Sequence, residues 1–107
     1  AVRYTQWIFV EGDYEIMPGL KLVLLGGHTD GSQGVLVNTA EGTVCLAGDT
    51  SGLAENLWDN VLPNIMTDVD SGYRALEIIR SRADYFVPFH DSLVQKYQHD
   101  HFLKVTR

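Results

Sequence analysis

Nowhere in these 107 residues does an apolar run approach the roughly 20 residues that a membrane-spanning helix requires, which sets a helical membrane protein aside. Cysteine is nearly absent. The single Cys45 cannot form an internal disulfide, and this fits a reducing, cytoplasmic setting. Basic residues are scarce: eight Lys and Arg stand against 14 Asp and Glu, for a net charge of −6. The eight are scattered, whereas a phosphate-binding surface needs them clustered, so nucleic acid is not an expected partner. No internal repeat, low-complexity tract or linker breaks the chain. Its start, Ala1-Val2-Arg3-Tyr4, has neither an initiator methionine nor the charged and apolar regions of a leader peptide. That start suggests a piece of a longer polypeptide or a processed product. With 45% hydrophobic and 21% charged residues, the composition is that of one ordinary globular domain.

What is present is strand-rich first, then helical, then extended again. Residues 2–11, with Tyr4, Trp7, Ile8, Phe9 and Val10, read as a strand. Tyr14 to Met17 alternates as a short strand, and Pro18-Gly19 supplies a turn. Leu20 to Leu25 is almost continuously apolar and is expected to be buried on both faces. Val35–Thr39 and Thr43–Ala47 read as a hairpin, and a short helix is expected near Leu53–Trp58. The spacing predicts a longer helix over 67–83. Thr67 with Asp70 forms its start signal, and Val69, Tyr73, Leu76, Ile79 and Ala83 form its apolar face. Tyr85-Phe86-Val87 reads as a strand, and the tail from Ser92 as weakly helical and polar. Trp7, Trp58, Tyr73 and Phe86 are assigned to core or pocket wall, with Trp58 the candidate to line an acyl or ring pocket. Met17 and Met66 are assigned to packing.

The chain is organised around the loop Gly26-Gly27-His28-Thr29-Asp30-Gly31-Ser32-Gln33-Gly34, which sits between two apolar runs. A histidine at a strand end, flanked by glycine turns, is held on a rigid scaffold, where ligating and catalytic groups commonly sit. Two further strand ends carry a polar residue able to bind metal, Asp49 and His90. Two imidazoles and a carboxylate suit zinc or another first-row divalent ion, and a carboxylate can bridge two ions while each histidine holds one. Asp30 and Asp91, beside the histidines, are candidates to orient the rings. Read one at a time, each residue has a plainer explanation: a loop histidine is more often solvated or capping, and Asp49 after Gly48 suits a turn or a helix cap. A strand rise of about 3.3 Å per residue puts Cys45 roughly 13 Å from Asp49, so the two cannot share an ion, and Cys45 reads as a small buried residue.

Taken together, Gly27-His28-Thr29-Asp30-Gly31-Ser32-Gln33, then Leu46-Ala47-Gly48-Asp49, then Pro88-Phe89-His90-Asp91 resemble the last three metal-binding motifs of the metallo-β-lactamase superfamily. Glu11-Gly12-Asp13-Tyr14-Glu15-Ile16-Met17-Pro18-Gly19 and Glu55-Asn56-Leu57 resemble the N-acyl homoserine lactone lactonases, its quorum-quenching branch. The resemblance implies an α+β fold, the C-terminal half of a four-layer αββα sandwich over residues 1–107, with a mixed sheet and outer helices. It also implies two divalent ions, zinc before iron, manganese or cobalt. His28 and His90 would each bind one ion, and Asp49 would bridge both as the catalytic residue. The expected activity is opening of a lactone, or cleavage of a related ester or amide, by metal-bound hydroxide. A glyoxalase-II-like thioesterase or another small-ester hydrolase is one alternative; a non-catalytic half-domain is the other.

Departures from the family pattern are local. His-x-His-x-Asp-His is absent, and His99-Asp100-His101 repeats only its first half. The resemblance therefore implies a missing N-terminal half, on the same polypeptide or a separate chain, with a homodimer as a further arrangement. The lactonase tyrosine three residues after the bridging aspartate is Gly52. The glycine before the last histidine is Phe89, and the proline after Gly-His-Thr is Asp30.

Overall fold

The computed structural model describes residues 5–92 and 102–106. Six strands form one sheet in chain order: β1 (Tyr14–Met17), β2 (Leu20–Leu24), β3 (Gln33–Thr39), β4 (Gly42–Leu46), β5 (Tyr85–Val87) and β6 (Leu103–Lys104). β1 to β4 make an antiparallel meander, in keeping with the turn at Pro18-Gly19 and the hairpin read over Val35–Thr39 and Thr43–Ala47. β5 then joins β4 in parallel. A parallel neighbour cannot be reached by a hairpin, so the chain crosses over between them. That crossover holds a 3₁₀ turn (Gly48–Ser51), α1 (Ala54–Trp58) and α2 (Val69–Arg82). The sheet is mixed and the helices flank it, as expected.

Side chains alternate across the pleat, and the register shows which share a face. Leu36, Cys45, Phe86 and Leu103 lie in one cross-strand row, with Val23 on the neighbouring row. All are sealed together with Ala75, Leu76 and Ile79 of α2. Trp58 closes this core edge-on against Phe86, centroids 6.3 Å apart, and its indole N–H donates to the Lys104 carbonyl at 2.8 Å. It serves the core rather than an acyl pocket. The opposite row runs Tyr14, Leu22, Val35, Leu46 and Val87, and among the described residues no element is layered over it.

That asymmetry corrects several expectations. β2 is not buried on both faces: Val23 is sealed, whereas Leu24 is 40% exposed, because only one face meets helices. The described part of residues 2–11 forms no strand, and Trp7, Ile8 and Phe9 stand exposed. An apolar, β-branched run becomes a strand only where an edge pairs with it, and among the described residues β1 pairs with β2 alone. The cap of α2 is Asp68, not Thr67. Asp68 is extended and accepts from the Ser71 amide and hydroxyl, each at 2.8 Å, which holds its carboxyl below the ordinary value. Thr67 turns instead to the Gly27 carbonyl. The buried face of α2 is correspondingly rotated, to Gly72, Ala75, Leu76 and Ile79, leaving Val69 and Tyr73 exposed. Met66 packs against Gly72, while Met17 is exposed. Most of the tail expected to be weakly helical, residues 93–101, lies outside the described residues; Leu103–Lys104 extends the sheet against β5. His99-Asp100-His101 lies outside the described residues.

Candidate metal centre

Three connections leave the same end of the sheet. The first follows β2. Gly26 and Gly27 both have positive φ (67° and 80°), and the amides of Leu25 and Gly26 donate to the Ser32 carbonyl at 2.9 and 3.0 Å. The loop is thereby closed on itself with His28 at its bend. Gly27 also lies against α2: a Cβ there would come within 3.2 Å of the Ala75 Cβ and 3.4 Å of the Ser71 carbonyl oxygen. Glycine is what permits this approach. The Gly27 carbonyl then accepts from Thr67 N at 2.7 Å, fixing the loop to the approach of α2.

The second connection is the 3₁₀ turn after β4, which carries Asp49 in its first turn. The third follows β5, where Pro88 is buried and the next residues are stitched to that turn. Phe89 N donates to the Ser51 carbonyl at 3.2 Å and His90 N to the Gly52 carbonyl at 2.8 Å.

These connections bring His28, Asp49 and His90 together. His90 Nε2–H donates to Asp49 Oδ1 at 2.9 Å, and His28 Nε2 stands 3.7 Å from Asp49 Oδ2. The carboxylate thus turns one oxygen toward each imidazole. His28 Nδ1–H donates to the Ile65 carbonyl at 2.9 Å. A neutral imidazole with Nδ1 protonated keeps its lone pair on Nε2, the atom facing Asp49. Ring orientation by a carbonyl is common for metal-binding histidines. Ile65 was not foreseen, because a backbone carbonyl carries no side-chain signature.

Asp91, a candidate to orient a ring, accepts at Oδ2 from the Ala54 amide at 2.7 Å, at the start of α1. Asp30 is exposed, and the carbonyl of Ile65 does for His28 what Asp30 was expected to do. Cys45 is wholly buried in the core, and loss of hydration pushes its thiol up to about 11. Gly52 lies directly after the 3₁₀ turn, beside the His90 ring.

The donor set fits part of a two-ion centre, with one nitrogen for each ion and a carboxylate oxygen for each. Among the described residues, no three His, Cys, Asp or Glu side chains are arranged to hold a single ion. Further donors would have to come from outside these residues. A surface cavity of ≈ 290 Å³, lined by Glu15, Lys21, Asn38, Thr43 and Arg82 among others, shares no residue with this cluster. No helix among the described residues is long and apolar enough to cross a membrane.

A mixed sheet with helices on one face and this histidine–aspartate–histidine rim define a metallo-β-lactamase-like fold over part of its extent. The particular relatives are lactonases. N-acyl homoserine lactonase AiiA of Bacillus thuringiensis subsp. kurstaki is 42% identical over 59 residues, 54% of this chain and 24% of its own length. A Bacillus cereus N-acyl homoserine lactonase is 43% identical over 53 residues, 49% of this chain and 21% of its own. Among solved structures, an N-acyl homoserine lactone hydrolase with the product N-hexanoyl-L-homoserine at its catalytic metal centre superposes with a TM-score of 0.69 and 29% identity. That match covers 81% of this chain and 36% of the hydrolase. A probable metal-dependent hydrolase from Staphylococcus aureus shares the fold, with a TM-score of 0.62 and 21% identity over 78% of this chain and 32% of its own. No family model matches the chain. The chain spans about a quarter of the length of the curated relatives it matches.

Proposed function

We propose that residues 1–107 are the C-terminal half of a metal-dependent hydrolase domain that opens a lactone of the N-acyl homoserine type, or cleaves a closely related ester or amide. The observation that carries this reading is the Asp49 carboxylate, presented with one oxygen to each of two imidazoles on separate loops. Asp49 would bridge two divalent ions, zinc foremost, with His28 on one and His90 on the other. Such ions, when bound, polarise a carbonyl and lower the pKa of coordinated water to near neutrality. The part of this chain is to hold the donors in register. The Ile65 carbonyl sets the His28 tautomer, and the Ser51 and Gly52 carbonyls anchor the His90 loop. Gly52 brings no hydroxyl to the site, so a proton for the leaving oxygen has to come from another group. Similarity to lactonases supports lactone opening over the thioesterase alternative. A quorum-quenching role and a cytoplasmic setting go with this proposal, the latter in keeping with the free, buried Cys45.

The remaining donors would come from an N-terminal half, on the same polypeptide or a partner chain. The test is hydrolysis of N-hexanoyl homoserine lactone by this chain joined to, or mixed with, such a half, after loading with zinc. Activity that falls by at least a hundredfold in Asp49→Ala and in His90→Ala, with unchanged circular dichroism, is the expected result. Undiminished hydrolysis in Asp49→Ala would overturn the proposal.

A further inference from the structure

Phe89 poses a problem that the fold does not answer: its large ring is 64% exposed beside the site and adds nothing to the core. Its neighbour in space is the imidazole of His90. The two rings meet edge-to-face, with centroids 4.7 Å apart and planes at 86°. This is the geometry that aromatic quadrupoles favour.

His90 needs such a neighbour because another side of the ring is open. Gly52 has φ −70° and ψ −36°, a conformation that any residue adopts. A Cβ there would make ordinary contacts, 3.5 Å from His90 Cδ2 and 3.9 Å from His90 Cβ. Neither backbone conformation nor crowding calls for glycine, and its presence leaves a notch beside the imidazole. The main-chain bonds to Ser51 and Gly52 fix the loop but leave the two side-chain torsions of His90 free. With 64% of the side chain exposed, little else walls the ring in.

We propose that Phe89 is the positioning residue of His90: its ring blocks one rotation and keeps Nε2 on Asp49, offsetting the freedom that Gly52 allows. The inference rests on the reading of His90 as a metal ligand only for its consequence, since the positioning is a property of the ion-free protein.

Imidazole ¹⁵N–¹H spectra of the ion-free chain test the positioning, and a titration with Zn²⁺ of the chain joined to an N-terminal half tests its consequence. In the parent protein one narrow set of His90 signals, protonated at Nε2, is expected. Phe89→Ala should broaden or average that set and weaken Zn²⁺ binding detected at His90 by about tenfold, the lower end of what ring-orienting partners contribute. Phe89→Trp should restore both, and Phe89→Leu, which keeps bulk without a ring, should restore neither. Gly52→Ala in the Phe89→Ala background fills the notch and should recover part of the order. Unchanged amide shifts away from residues 86–92 would show that the fold is intact. His90 signals in Phe89→Ala as narrow as in the parent, with the same tautomer, would overturn the proposal. If Zn²⁺ does not bind at His90 in the chain joined to its N-terminal half, the ligand reading fails, and the ion-free spectra still decide the role of Phe89.

Discussion

On one face of the sheet Val23, Leu36, Cys45, Phe86 and Leu103 are sealed under the helices, each at most 7% exposed. On the other, Tyr14, Leu24 and Leu46 are 40%, 40% and 44% exposed. The residue types are much the same, and both faces belong to the same strands. What differs is whether a helix layer lies above them. The core face positions the site, because α2 packs against Gly27 and the crossover carries Asp49. The open face has the character of a surface made to be covered, since exposed apolar patches of this kind mark interaction sites. In the proposed sandwich it is where the other half of the domain would lie.

The sharpest way to break the contrast is to damage the sealed face. Phe86→Ala should cost about 3–5 kcal/mol in urea denaturation, the usual range for a buried phenylalanine. A domain of ordinary stability would lose a large share of its margin. Cys45 supplies a companion readout: buried, with its thiol pushed up to about 11, it should react with a thiol reagent only as fast as the protein opens. Fast labelling of the native protein would contradict the sealed core.

Gly34→Ala should come next. A Cβ there would lie 2.9 Å from Leu25 Cδ1 and 3.3 Å from both Cys45 Sγ and the Leu46 carbonyl oxygen. Overpacking of this kind typically costs about 1–3 kcal/mol, and thermal unfolding would show it.

A smaller effect should follow pH. The Arg82 guanidinium, 2.6 Å from Asp13, and then the Leu24 amide hold the Asp13 carboxyl below its ordinary value. A carboxyl depressed in the folded state stabilises fully above its unfolded pKa, about 3.9. That contribution is lost as pH falls through the lower folded value. The pair is partly exposed, so the slope is modest. Arg82→Met should flatten the acid limb of melting temperature against pH below about 4, and an unaltered limb would remove the pair from the account.

The smallest effect sharpens the comparison from the open side. Leu46→Lys should change the stability of this chain by no more than about 0.5 kcal/mol, as surface substitutions do. In a protein whose second sheet covers that face, the same change should be far more costly. A large loss in the 107-residue chain would mean that the face is already covered.

How much of this was legible in the sequence follows from the same contrast. The strands of the meander and the strand-end positions of His28, Asp49 and His90 were readable because turn glycines, alternation and strand-end polar residues leave local signals, whereas the mixed sheet and the grouping of the three residues came from the family resemblance. The described part of residues 2–11 and the second face of β2 misled, because an apolar run says nothing about whether a partner lies above it. The start of α2 was misplaced by one residue, since two adjacent side chains, Thr67 and Asp68, could both cap, and a loop carbonyl 40 residues away took the first. Ile65 and the task of Asp91 were invisible for a related reason: both act on or through main-chain atoms.

The most direct check on the central claim is a Zn²⁺ titration of this chain joined to an N-terminal half that supplies the remaining donors, followed at the imidazole carbons of His28 and His90. Both sets of signals should shift together over one range of Zn²⁺ concentration, and Asp49→Asn should weaken the response at both histidines. Ions that perturb neither ring, or that perturb each regardless of Asp49, would contradict a shared centre.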